Sequence, residues 1–106
     1  MTALDRIRDQ VTTNNVVLYM KGTPQFPQCG FSSKAAQVLQ ACGLQEFLAV
    51  NVLADPEIFE NLKHYANWPT FPQLYIKGEL IGGSDIMIEM YQKGEMQTLL
   101  EDSKAA

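Results

Sequence analysis

Cys29 heads the segment Cys29-Gly30-Phe31-Ser32, which follows a loop with prolines at 24 and 27 and opens a helix-periodic run. A thiol at the mouth of a helix faces unpaired backbone N–H groups and the positive end of the helix dipole, which favour its thiolate. Such a sulfur is a nucleophile and a soft-metal ligand. Serine occupies position 32, where a Cys-x-x-Cys pair would carry its second thiol. A hydroxyl neither ionises near neutral pH nor forms S–S bonds, so Ser32 cannot resolve a mixed disulfide. The chemistry of Cys29 therefore needs a thiol from another molecule.

The other cysteine does not supply it. Phe31, Ala35, Val38, Leu39 and Cys42 recur at helical spacing, which puts Cys42 on the inward face at the far end of the same helix. More than three turns, each about 5.4 Å of rise, separate it from Cys29, whereas a disulfide tolerates a Cα separation of about 7 Å or less. Cys42 reads as an inert core thiol. His64, a lone histidine beside one useful cysteine, offers too few donors for a zinc site.

With 106 residues and 46% hydrophobic content, the chain is expected to form one domain spanning 1–106 with a buried core. Twelve acids against eight bases give a net charge of −4, and the bases are scattered singly, so nucleic acid is not an expected partner. No apolar run approaches membrane-spanning length, and the N-terminus lacks the apolar segment of a signal peptide. These features predict a soluble, intracellular protein without a membrane partner. The expected site is the cytoplasm, or a mitochondrial matrix or plastid if a transit peptide has been removed.

The elements that must position Cys29 follow from the apolar pattern. Leu4, Ile7 and Val11 mark a first helix that Thr2 caps and Asn14-Asn15 ends. Val16 to Met20, an unbroken apolar run of β-formers, suits a strand buried on both faces. The Cys29 helix stops at Gly43, and Phe47 to Val52 reads as a second strand, parallel to the first. Asp55-Pro56 starts a third helix with Ile58, Leu62 and Tyr65 inward. Gln73–Ile76 and Glu79–Ile81 are strands of a tight hairpin at Lys77-Gly78. After Gly82-Gly83, Ser84 or Asp85 caps a helix carrying Ile86, Met90 and Tyr91, and Gly94 separates it from a last helical turn or two at Glu95–Glu101. Met87, Met90 and Met96 read as core or helix surface, and Trp68 as a packing or docking residue. This order predicts an α/β fold: a four-stranded mixed sheet flanked by helices on both faces.

A strand, a cysteine-bearing loop, a helix, and later Thr70-Phe71-Pro72 before a β-hairpin resemble the thioredoxin-like fold. Within it, Cys29-Gly30-Phe31-Ser32 resembles the monothiol glutaredoxins of the Cys-Gly-Phe-Ser type. Met20-Lys21-Gly22-Thr23-Pro24, Trp68-Pro69-Thr70-Phe71-Pro72 and Gly82-Gly83-Ser84-Asp85 match in order and spacing. The resemblance implies that glutathione meets Lys21, Cys29, Gly30, Phe31, Thr70, Phe71, Pro72, Gly83, Ser84 and Asp85. Lys21 would pair with its glycyl carboxylate, a cis Pro72 would turn the preceding backbone toward the peptide, and the amides and carboxylate at Ser84-Asp85 would take its γ-glutamyl end.

The resemblance further implies a redox-active Cys29 that ligates a [2Fe-2S] cluster. Two copies of Cys29 and two glutathione thiols would bridge a homodimer and deliver the cluster to apo iron-sulfur proteins. An alternative is glutathione-dependent deglutathionylation of proteins, at most weak in this class. Another is a cluster-sensing complex with a BolA-like protein. Two positions depart from the common pattern: Phe59 replaces a frequent arginine or lysine, and Ser84 replaces a frequent cysteine. Lys63, one turn beyond Phe59 on the same helix face, reads either as a solvated lysine or as a substitute for the missing cation.

Overall fold

A computed structural model describes residues 1–44 and 46–104. Helix α1 (Ala3–Thr13) leads to strand β1 (Val16–Met20), helix α2 (Gly30–Ala41) and strand β2 (Leu48–Asn51). A 3-10 turn (Val52–Ala54), helix α3 (Pro56–Tyr65), strands β3 (Gln73–Ile76) and β4 (Glu79–Gly82), and helices α4 (Ser84–Gln92) and α5 (Glu95–Lys104) complete the order. The sheet runs β2-β1-β3-β4, with β1 parallel to β2 and antiparallel to β3, and β3 antiparallel to β4.

Strand β1 explains why its sequence is apolar without alternation. Val16, Leu18 and Met20 pack with Ala35 and Leu39 of α2, Met87 of α4, and Met96 and Leu100 of α5. Val17 and Tyr19 belong to a second cluster with Ile7 and Val11 of α1, Ile58 and Leu62 of α3, Phe71 and Tyr75. All five residues of β1 are buried, because a strand covered on both faces exposes neither side-chain set to water. The site lies where β1 ends, at the seam between these two clusters.

Local signals set the element ends. Thr2 and Asp5 form a reciprocal capping box at 3.1 Å in each direction. Asp55 caps α3 through the Ile58 N–H and pairs with the Arg6 guanidinium, which holds its carboxyl below the usual range. The two-residue turn of the hairpin has φ +51° at Lys77 and +83° at Gly78, the geometry that suits the twist of the flanking strands.

Several expectations from periodicity are corrected. Leu4, Phe31 and Ile86 are exposed, and Ala3, Ser32 and Met87 take the inward places on their helices. Cys42 and Tyr65 are half-buried at the edges of the two clusters. Strand β2 is shorter than Phe47–Val52, since Val52 turns inward to begin the 3-10 turn. Helix α4 is capped by Gly83, not by Ser84 or Asp85, and α5 extends to Lys104. Among the described residues, no helix is long and apolar enough to cross a membrane.

Candidate functional site

The site begins with a loop that returns the chain to the end of β1. Gln28 N–H donates to the Lys21 carbonyl at 2.9 Å, and Thr23 and Phe26 exchange backbone hydrogen bonds at 3.1 and 3.2 Å. Gly22 makes this closure possible: its φ is +91°, and a Cβ there would lie 2.6 Å from both Gln28 N and the Phe26 carbonyl. Gly22 N–H is in turn held by Asn51 Oδ1 at 2.9 Å. The loop thereby delivers Cys29 beside Lys21.

Cys29 is the N-cap of α2, with extended backbone and no side-chain cap hydrogen bond. The backbone N–H of Ser32 is the largest influence on its thiol and holds it below the usual thiol range against a smaller opposing effect of desolvation. The Phe31 N–H, the Lys21 charge and the Ser32 hydroxyl add in the same direction. Ser32 is fully buried and its Oγ accepts the Lys21 N–H at 3.0 Å, which stitches the strand end to the helix start. A reading of Ser32 as an absent thiol missed this role. Phe31 points out beside the sulfur, 57% exposed, and Phe26 is 75% exposed on the preceding loop.

A second wall comes from the segment after α3. Asn67 has φ +51°, and the Phe71–Pro72 peptide is cis. The Phe71 ring packs on Phe59 with centroids 5.1 Å apart, and Lys63 Nζ lies 4.5 Å from the Phe59 centroid. Lys63 also reaches Glu60 at 3.8 Å. The third wall is the start of α4. With Gly83 as N-cap, no side chain caps this end, and the first helical bond runs from Met87 N–H to the Gly83 carbonyl at 3.0 Å. The amides of Ser84, Asp85 and Ile86 thus have no partner within their helix. A Cβ on Gly83 would stand 3.3 Å from the Pro72 carbonyl, so glycine lets the helix start close on the cis-proline segment.

These walls enclose an open cavity of about 800 Å³. Lys21, Cys29, Phe31, Thr70, Phe71, Pro72, Gly83, Ser84 and Asp85 all line it. Gly30 does not; it opens α2 behind Cys29 with open space around its α-carbon. Phe59, Lys63, Trp68, Pro69 and Ile86 complete the lining. Ile86, which the sequence marks only as one of the apolar residues of its helix, is a lining residue that sequence reasoning missed. In a chain of net charge −4, Lys21, Lys63 and the uncapped amides of α4 give this cavity cationic walls, while Asp85 offers one exposed carboxylate.

Cys42 lies at the other end of α2, where burial pushes its thiol up, and both cysteines are free. His64 is exposed, and no group of three or more His, Cys, Asp or Glu side chains placed to hold a metal ion occurs among the described residues.

The glutaredoxin family model matches residues 16–81, from the first residue of β1 to the last-but-one of β4. The chain is 52% identical over 104 residues to glutaredoxin 4 of Escherichia coli K12, covering 98% of this chain and 90% of the relative. It is 58% identical over 90 residues to the probable monothiol glutaredoxin GrlA of Legionella pneumophila, covering 85% and 100%. Among solved structures, reduced poplar apo GrxS14 superposes with a TM-score of 0.81 at 45% identity, covering 96% of this chain and 93% of that one. The thioredoxin-like sheet, the match across both cluster faces and the single thiol of Cys29-Gly30-Phe31-Ser32 lead to one conclusion: the chain belongs to the glutaredoxin family, among its monothiol members.

Proposed function

We propose that this chain binds glutathione in the 800 Å³ cavity and, with it, carries a [2Fe-2S] cluster that it transfers to apo-proteins. The observation that carries the reading is a single activated thiol opening on a cation-lined cavity, its only sister cysteine at the far end of the helix. Lys21 and Lys63 suit the glycyl carboxylate, the backbone edge at Thr70 and Phe71 suits an extended peptide, and the amides and carboxylate at Ser84-Asp85 suit the zwitterionic γ-glutamyl end. A ligand so placed brings its own thiol toward Cys29.

A [2Fe-2S] cargo needs four thiolates. Two copies of the chain supply two Cys29 sulfurs and two glutathiones supply the other two, each thiol losing its proton on ligation. Half of the ligand set is then diffusible, so the cargo is held exchangeably and suits delivery to apo iron-sulfur proteins. Exposed Phe31 in the cavity lining and Phe26 on the preceding loop supply apolar contact for the second copy, for a recipient, or for a BolA-like partner that replaces one copy. The reading places the protein in a glutathione-rich compartment such as the cytoplasm.

Anaerobic reconstitution with iron, sulfide and glutathione tests this. We expect visible sulfur-to-iron absorption together with a doubled mass on gel filtration, both lost when glutathione is withheld. A colourless product, or a cluster formed equally well without glutathione, overturns the reading.

The lowered Cys29 thiol also favours a second reading, reduction of glutathionylated proteins. The Cys29 thiolate attacks the glutathione sulfur, the protein thiolate leaves, and a second glutathione attacks the Cys29 mixed disulfide to release oxidised glutathione and free Cys29. Turnover of a glutathionylated peptide separates the two readings.

A further inference from the structure

A buried polar side chain, Gln73, lies directly behind the second wall of the cavity. It is the first residue of β3 and is 0% exposed. Its Nε2 donates to the carbonyls of Trp68 at 3.0 Å and Thr70 at 3.2 Å, and its Oε1 accepts the Tyr75 hydroxyl at 3.0 Å. The amide orientation is fixed by chemistry, since carbonyl oxygens only accept and so must face the NH2 group. Both donors are spent on the segment that presents Thr70 and Phe71 to the cavity.

The segment's other anchor is the Phe71 ring, buried in the second cluster against Phe59. The indole N–H of Trp68 is buried with no hydrogen-bond partner, a cost that a freely moving loop would relieve by turning the ring to water. Thr70 is exposed and Asn67 sits at positive φ. Tyr75, which orients the Gln73 amide, is itself fixed by an edge contact with Tyr19 at 5.5 Å between centroids. Glutamine is the residue type that spans from a strand to two successive loop carbonyls while keeping an acceptor for a hydroxyl; glutamate would set oxygen against oxygen.

We infer that Gln73 is a positioning residue for the ligand: its amide clamps the Trp68 and Thr70 carbonyls so that the Thr70–Phe71 edge is preformed for an extended peptide. The inference rests on the glutathione reading for its ligand and on Trp68 for a test that needs no ligand. Trp68 is the sole tryptophan, so its fluorescence reports the segment directly.

The test compares wild type with Gln73→Met, which keeps length and burial but removes both donors. We expect Gln73→Met to unfold cooperatively, to bind glutathione about 10-fold more weakly, and to shift Trp68 emission to the red without ligand. The pH profile of Cys29 alkylation should not move, because the groups that lower its thiol are on α2 and at Lys21. Tyr75→Phe, which keeps the ring and releases only the acceptor side, should give the same changes at about threefold and covers the case in which Gln73→Met fails to fold.

Wild-type affinity and an unchanged Trp68 spectrum in both variants would overturn the inference. So would a lost affinity accompanied by a displaced Cys29 profile, which would mean a general disturbance. Failure of the wild-type protein to bind glutathione would overturn the functional reading instead, and the Trp68 comparison would then decide the clamp alone.

Discussion

Helix α2 carries a cysteine at each end, and the two thiols differ in opposite directions. At the N-terminal end, backbone N–H groups, the Lys21 charge and the Ser32 hydroxyl hold Cys29 below the usual thiol range. At the C-terminal end, Cys42 packs at the edge of a core cluster and is pushed up by burial. The helix dipole has the same sense, favouring the anion at the first end and opposing it at the second. Identical side chains on one helix thus differ in use because of where the backbone leaves its donors unpaired.

The strongest way to break this comparison is to remove each sulfur in turn. Cys29→Ser should abolish cluster formation and the accompanying doubling of mass, because a hydroxyl is a poor substitute for a soft thiolate. Cys42→Ser should leave both intact. Visible absorbance after reconstitution decides it; a Cys42→Ser protein that loses the cluster while Cys29→Ser keeps it would reverse the assignment.

Charge at the active end should come next in size. Lys21→Ala removes a cation beside Cys29 that is placed for a charge-assisted hydrogen bond, worth about 1.5–3 kcal/mol or ~10- to 150-fold in glutathione affinity. Lys63→Ala should cost less, since Lys63 sits over the Phe59 ring and shares its charge with Glu60. Phe59→Arg should tighten binding by adding a cation to the wall. Glutathione titrations at fixed salt rank the three, and a Lys21→Ala protein with wild-type affinity would detach that residue from the ligand.

Much of this molecule could be read before its coordinates. The run Val16–Met20 announced a strand covered on both faces, the Asp55-Pro56 cap and the Lys77-Gly78 turn marked element ends, and nine of ten expected site residues line one cavity. What stayed hidden has a common cause. Periodicity separates apolar from polar faces but does not say whether an apolar side chain meets the core or the cavity, and Phe31 and Ile86, which fit the apolar spacing of their helices, line the cavity. Polar residues escape it too: Ser32 and Gln73 are fully buried because backbone groups of folded-back segments need them as partners, Lys21 for the first and Trp68 and Thr70 for the second. Such demands arise only once the loop after β1 and the loop before β3 have folded back.

Smaller, and a sharper measure of the contrast, is the reactivity of the two thiols in the apo-protein. Only the thiolate alkylates, so a lowered pKa raises the reactive fraction at pH 7 and a raised one reduces it. Cys29 should react at least about 10-fold faster than Cys42 at pH 7, the gap closing as pH rises and Cys42 begins to ionise. Peptide mapping after timed iodoacetamide labelling reads both sites in one sample. Lys21→Ala should move the Cys29 midpoint upward, and added salt should move it the same way, because the lysine contribution is a screened charge.

The smallest effect should come from the inert end of the helix. Gly43 follows the C-cap Cys42 at φ +79°, with Gly43 N–H on the Gln40 carbonyl at 2.9 Å and Leu44 N–H on the Leu39 carbonyl at 3.1 Å. This pair of bonds satisfies the last carbonyls of α2 and turns the buried Leu44 back into the core. No atom lies within 4 Å of a Cβ placed on Gly43, so alanine there meets no clash, and its cost is the left-handed backbone alone. That cost is about 1 kcal/mol, a fall of roughly 5 °C in Tm for a chain of this size. Gly43→Ala should therefore lower Tm slightly while leaving the Cys29 alkylation profile and the cluster spectrum as in wild type. Activation of Cys29 depends on the first turn of α2 and its neighbours, all at the opposite end of the helix. A Gly43→Ala protein with an altered Cys29 profile would show that the two ends are coupled through the helix, and the independence of the two thiols would fail.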